Sequence, residues 1–237
     1  LVTALASDVY PFGDNPAANP AGRPTVEINE KTSELGVNGG VVMLPMRDGV
    51  RLKTELWFPP DYSGEKRYPV ILCRTPYEGI LPMEAWGVPD QARSGFVVVM
   101  QKTRGRHGSE GGDVVPFVDD AWGPRQDGYD TVEWIARQQW CNGRIGTVGK
   151  SAAGITQYML AGSNPPHMTC AAVAEAASNL YAHAAFQGGA MLKSLVEDWL
   201  SSQKFAPTVK QELARHPVYD DFWRGMDLSL SLIHISE

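Results

Sequence analysis

Hydrophobic and polar positions change their period twice along this chain. Residues 7–40 carry Pro, Asn and Gly in quantity and hold no sustained period, so they read as an extended arm or a partly disordered leader. From Val41 the texture is that of strands. Val41 to Met46 is apolar, Arg47-Asp48-Gly49 makes a turn, and Arg51 to Phe58 alternates Leu52, Thr54, Leu56 and Phe58 against Arg51, Lys53 and Glu55. Tyr68 to Cys73 and Phe96 to Met100 are short apolar runs suited to buried strands, and the stretch from Thr103 to Asp113 is glycine-rich and polar, a loop. From Asp127 the spacing lengthens: Tyr129, Val132, Ile135 and Ala136 recur at helical intervals until the helix runs out near Gln139. Asn142-Gly143 turns the chain into a strand starting at Ile145. After Ser151, Ile155, Tyr158 and Met159 supply the buried face of another helix, and Thr169 to Ala174 reads as a sixth strand. Beyond Asn179 the pattern is helical, with Met191, Leu192, Leu195, Val196, Trp199 and Leu200 on one face and a weaker helix over 208–215.

Strands joined in their later half by helices predict an α/β domain whose sheet becomes parallel, with helices outside it. The junction at Ile145 to Gly154 stands out within that plan. A β-branched run enters the small-residue turn Gly149-Lys150-Ser151-Ala152-Ala153-Gly154, and an apolar helix leaves it. A serine on such a turn matches the nucleophile elbow of α/β-hydrolases, where strand and helix pass too closely for large side chains. Ser151 follows the fifth predicted strand and the loop holding Tyr77 follows the third, the places of the nucleophile and of the second oxyanion donor in that fold. The Ala152 N–H, at the start of the helix, is one oxyanion donor; the Tyr77 hydroxyl is a candidate for the other, and a packed loop aromatic is the competing reading. Gly149-Lys150-Ser151 also ends a phosphate-binding loop. That motif, however, requires a glycine where Arg144 stands, and Ile145 to Val148 would have to be loop rather than strand.

Bulk composition narrows the classes further. The 237 residues carry a net charge of −6, which leaves no basic footprint for nucleic acid or an anionic membrane surface. No apolar stretch approaches the length of a membrane span. Cys73, Cys141 and Cys170 are widely spaced, and the apolar runs around Cys73 and Cys170 predict buried free thiols. His107, His167, His183, His216 and His234 show no metal-ligand spacing, so neither a metal nor a cofactor is expected. Asp119-Asp120 reads as a solvated loop or helix start, and the Arg104–Arg106 loop as a surface turn. None of His167, His183 and His216, which follow Ser151, lies after a late strand, so none suits a triad histidine.

The two ends look unfinished. Ala4-Leu5-Ala6 matches the end of a secretory signal, which would make the protein periplasmic or secreted; without that reading a cytoplasmic location is expected. Residues 230–237, LSLIHISE, resemble the translated read-through of a transposase adapter used in sequencing libraries, which makes His234 a poor catalytic candidate.

Six segments occur in the order of one family: Met46 to Leu52, Arg74 to Tyr77, Thr103 to Arg106 with Ser109-Glu110-Gly111, Asp127 to Ile135, Gln139 to Gly143, and Gly149-Lys150-Ser151. They resemble the CocE/NonD hydrolases, a group that includes cocaine esterase, Xaa-Pro dipeptidyl-peptidases and α-amino-acid ester hydrolases. His216 to Trp223 adds a match in that family's cap region. The resemblance implies an α/β-hydrolase core over 41–180, here its first six strands, and the start of a helical cap insertion over 181–229. It implies Ser151 as nucleophile, with the Tyr77 hydroxyl and the Ala152 N–H as oxyanion hole. The substrate implied is a small ester or amide, or a short peptide. Ala152 stands where the family usually has Tyr, and Lys102 where Asp is common. The family's triad Asp and His lie beyond the cap, past the end of this chain. A nucleotide-binding protein and a catalytically dead hydrolase-fold binding module are the competing readings.

Overall fold

The computed structural model describes residues 26–28, 37–78, 87–112, 115–118, 120–121 and 123–229. The proposed signal remnant and the adapter-like tail with His234 lie outside them. Seven strands form one sheet: β1 (Val26–Ile28), β2 (Asn38–Pro45), β3 (Arg51–Phe58), β4 (Tyr68–Thr75), β5 (Val97–Lys102), β6 (Cys141–Lys150) and β7 (Met168–Ala174). Their order is β1-β2-β3-β5-β4-β6-β7. The first three strands and the β3–β5 pair are antiparallel, whereas β5, β4, β6 and β7 run parallel, so the sheet becomes parallel where the pattern predicts it. β1 lies within the stretch read as an arm and pairs Val26 with Val42 at the sheet edge. Three residues are too few to set up a visible alternation.

The uninterrupted Val97-Val98-Val99-Met100 run has a direct cause. Val97 and Val99 enter the core beneath α2 (Asp127–Ala136), with Leu52, Leu56, Val132 and Ile135. Val98 and Met100 point to the other face and pack with Trp57, Cys73 and α1 (Val88–Arg93), a short helix the hydrophobic pattern does not announce. A strand covered on both faces loses its polar positions. β6 begins four residues earlier than the pattern predicts. Asn142-Gly143 does not break it, because Gly143 takes a φ of +84° where the register slips between Tyr68 and Val70.

Two burial expectations are corrected. Cys73 is a buried free thiol, but Cys170 is exposed. β7 pairs on one side only among the described residues, so its apolar sequence is not covered. Asp120 is not solvated; it is buried in an ion pair with Arg74.

After β7 the chain builds a helical layer. A π-helical turn, Tyr181–Ala185, comes first. A second, Ser194–Asp198, runs into α4 (Trp199–Ser202), followed by α5 (Pro207–Ala214) and α6 (Asp221–Arg224). Met191 and Leu192 precede this helix rather than belonging to it. Leu180, Phe186, Leu200, Val209, Leu213, Trp223, Met226 and Leu228 bury a second core against Met159 of α3 (Ala152–Gly162). The layer therefore sits over the helix that follows Ser151.

Candidate active site

Ser151 occupies the sharp turn between β6 and α3, with φ 56° and ψ −126°. This left-handed φ is costly for a residue bearing a Cβ, and here the surroundings enforce it. Ser151 N–H donates to the Ala174 carbonyl at 3.0 Å, and its carbonyl accepts from Gly154 N–H at 2.8 Å and Ile155 N–H at 2.9 Å. A Cβ on Gly149 would lie 2.1 Å from the Ala153 carbonyl oxygen, and one on Gly154 would lie 2.7 Å from the Ala176 Cβ. The glycines thus permit the close strand–helix approach that the spacing predicts. Gln157, which carries no sequence signal, clamps the turn from α3. It accepts from Thr147 Oγ1 at 2.7 Å and donates to the Gly149 carbonyl at 3.2 Å.

The turn leaves Ser151 exposed and Ala152 buried at the first position of α3. The Ala152 N–H is one of the amides that a helix start cannot satisfy internally, and the helix dipole points at the same place. Tyr77, in the loop after β4, brings its hydroxyl to 3.3 Å from Ser151 Oγ. The structure therefore brings the three sequence-predicted residues together: the Ser151 hydroxyl, a phenol that can donate, and a helix-start amide.

The loop read as an ordinary surface turn instead holds Tyr77 in place. Lys102 Nζ donates to the Tyr77 carbonyl at 2.9 Å, while the Pro76 carbonyl accepts from His107 Nε2 at 3.0 Å and from Arg106 Nε at 3.4 Å. Burial holds the Lys102 ammonium below its usual range, and burial together with the Arg106 charge lowers His107. Arg106 also donates to the Gln203 carbonyl and lies 4.0 Å above the Phe205 ring, tying this loop to the helical layer. Arg104 is buried too, bonded to Asp127 at 2.7 Å and Asp48 at 2.8 Å. Burial works against the Arg104 charge, but hydrogen bonds to both carboxylates outweigh it and raise its pKa. Alternating cations in a glycine-rich loop gave no periodicity from which this burial could be read.

A cavity of about 510 Å³ opens beside Ser151, between the ends of β6 and β7 and the helical layer. Its walls are mostly apolar, including Phe117, Ile155, Leu195, Trp199 and Trp223. Glu175 is the carboxylate among its lining residues, and Lys150 Nζ pairs with it at 2.9 Å. That pair and the β6 ladder occupy Gly149-Lys150 and the four residues before them, so no phosphate loop forms there. His183 lines the cavity, His167 Nδ1 bonds Glu133 at 3.0 Å, and His216 Nδ1 bonds Asp220 at 2.6 Å. Among the described residues no hydrogen bond joins a histidine to Ser151 Oγ.

Comparison with known proteins places this geometry in a family. Cocaine esterase of Rhodococcus is 41% identical over 145 residues, 59% of this chain and 24% of that protein. The chain thus spans about a quarter of the length of that relative. A CocE/NonD family hydrolase of Staphylococcus aureus superposes with a TM-score of 0.69 at 23% identity, covering 92% of this chain and 45% of the other. An α-amino-acid ester hydrolase gives a TM-score of 0.62 at 24% identity, covering 92% and 41%. These likenesses establish the shared fold. The model of the family described as X-Pro dipeptidyl-peptidase (S15 family) matches residues 48–217, which run from the turn between β2 and β3 through the elbow into the helical layer. The chain belongs to the X-Pro dipeptidyl-peptidase (S15) family.

Proposed function

We propose that this chain carries the nucleophile and oxyanion hole of a serine hydrolase that cleaves an ester or amide through an acyl-enzyme on Ser151. The carrying observation is the 3.3 Å approach of the Tyr77 hydroxyl to Ser151 Oγ at a strained strand-to-helix turn. Ser151 Oγ attacks the substrate carbonyl carbon, and its proton passes to a general base. The carbonyl oxygen becomes an oxyanion, accepting from Tyr77 O–H and Ala152 N–H. Collapse breaks the bond to the alcohol or amine, which leaves with the proton from the base, and water then hydrolyses the acyl-serine. In the family this sequence resembles, the base and its orienting acid follow the cap. The helical layer over 181–229 acts as the start of a cap that walls the acyl pocket.

The cavity favours an ester with an uncharged, apolar acyl group. A free α-ammonium on an amino-acid ester or an Xaa-Pro peptide needs a carboxylate, and Glu175, the carboxylate of the lining, already pairs with Lys150 at 2.9 Å. The test is labelling of the full-length protein with a fluorophosphonate, followed by mapping of the adduct to Ser151. Hydrolysis of p-nitrophenyl hexanoate is then compared with that of Ala-Pro p-nitroanilide. Folded protein that does not label at Ser151 overturns the reading, and preference for the dipeptide anilide overturns the acyl assignment.

A further inference from the structure

We infer that Trp199, contributed by the helical layer, is a positioning residue of the oxyanion hole, because its indole N–H holds the Tyr77 hydroxyl in the orientation that donates toward Ser151. The inference rests on the reading of Ser151 as nucleophile. Trp199 Nε1 lies 3.4 Å from Tyr77 Oη, across 122 positions of sequence. An indole nitrogen can only donate, so the phenol oxygen must accept this bond. A phenol has a single proton. With its oxygen engaged by the indole, that proton is left to point away from Trp199, toward Ser151 Oγ at 3.3 Å and toward an oxyanion formed there. Accepting one hydrogen bond also polarises the O–H and strengthens its donation of the next.

The surrounding contacts suit a positioning role. The Tyr77 and Trp199 rings meet edge to face, with centroids 6.4 Å apart and planes at 87°. Trp199 is stacked against Phe117 at 6.2 Å and leans on Phe205 at 5.3 Å. Lys102 fixes the other end of Tyr77 through its carbonyl. The phenol is therefore held at its backbone by the sheet and at its hydroxyl by the helical layer, which makes the oxyanion hole dependent on how that layer seats. Trp199 also lines the cavity, so a plain apolar wall is the role to be distinguished.

The experiment is a double-mutant cycle on phosphonylation of the full-length protein by a fluorophosphonate, reading the maximal rate and the half-saturating concentration separately. Tyr77→Phe lowers the maximal rate about 100-fold, as loss of one oxyanion donor does. Trp199→Phe lowers it about 5-fold, equivalent to one neutral hydrogen bond, with half-saturation changed less than about twofold. In the Tyr77→Phe background Trp199→Phe costs nothing further. Equal slowing by Trp199→Phe in both backgrounds, or an effect on half-saturation alone, makes Trp199 a pocket wall and overturns the inference. Should Trp199→Phe disturb folding, Trp199→3-benzothienylalanine keeps the bicyclic shape and removes only the N–H; unchanged labelling by that variant also overturns it. Labelling of Ser151 that depends on Tyr77 but not on Trp199 defeats the inference alone. Failure of the wild-type protein to label defeats the functional reading itself.

Discussion

Substituting alanine at Gly149 tests whether the elbow is held by close packing, and the structure ranks three glycines for comparison. At Gly149 the added Cβ would meet the Ala153 carbonyl oxygen at 2.1 Å, its carbon at 2.5 Å and Gln157 Nε2 at 2.7 Å. Non-bonded carbon contacts become favourable only at about 3.5–4.0 Å, and the first two of these atoms are helix backbone that cannot rotate away. Relief requires α3 to move from β6, which breaks the 3.2 Å bond from Gln157 to the Gly149 carbonyl and displaces Ser151. Overpacking in a tight core costs about 1–3 kcal/mol and occasionally more, and backbone obstruction puts Gly149→Ala at or above the upper end, about 3 kcal/mol. Gly154→Ala meets the Ala176 Cβ at 2.7 Å and the Ala174 carbonyl at 3.0 Å, a smaller intrusion worth about 1–3 kcal/mol. Gly146→Ala meets chiefly Cys170 Sγ at 3.2 Å, the tip of an exposed side chain, and costs below about 1 kcal/mol. Urea unfolding followed by tryptophan fluorescence measures the order, since Trp57, Trp134 and Trp140 are buried in the sheet core. Labelling of Ser151 follows the functional side. If Gly149→Ala unfolds at the same urea concentration as Gly146→Ala and labels as fast as wild type, the close-packing argument is wrong.

Three further outcomes are expected. Arg104→Met strands the Asp127 carboxylate, which is 1% exposed, and should cost about 3–5 kcal/mol, whereas Asp48→Asn, removing the 31%-exposed partner, should cost far less; comparison of urea midpoints checks both. Lys102→Met frees the Tyr77 carbonyl and should slow Ser151 labelling several-fold with a melting temperature close to wild type; equal labelling rates refute the role given to Lys102. The hydrogen bond from His216 to Asp220 raises the histidine's pKa, so the stability it adds to α6 is fully present below the ordinary histidine value of about 6.5. It is lost as pH rises through the elevated folded value. Hydrogen exchange of the Phe222 and Trp223 amides should accelerate over that interval, and His216→Gln should remove the pH dependence.

Much of the site was legible because it obeys local rules. Ser151, Gly149 and Gly154 announce themselves through small residues between a β-branched run and a helix, a pattern that sterics alone demand. Placing Tyr77 required counting strands; β1 adds one ahead of those counted, so the two turns follow β4 and β6, but these are parallel neighbours whose carboxyl ends open on the same side. The helix from Asp127 and the alternation of β3 were likewise periodic enough to read.

What tertiary structure added was mostly burial and long-range partnership. Cys73 and Cys170 sit in equally apolar runs, yet one lies mid-sheet and the other on an outer strand, and composition does not record a strand's neighbours. The loop of Arg104 and Arg106, with Lys102 at the end of β5 just before it, reads as polar surface because charge in a sequence normally marks solvent. Only folding brings Asp48, Asp127 and the Pro76 and Tyr77 carbonyls around it and makes burial affordable. Gln157 gave no signal, and Trp199 only that of an apolar helix face, for the same reason: each acts through a hydrogen bond whose partner is set by three-dimensional packing. Sequence periodicity fixes which face of an element is apolar and where a strained turn can form. Which polar atoms meet across 122 residues depends on the seating of the helical layer against the sheet.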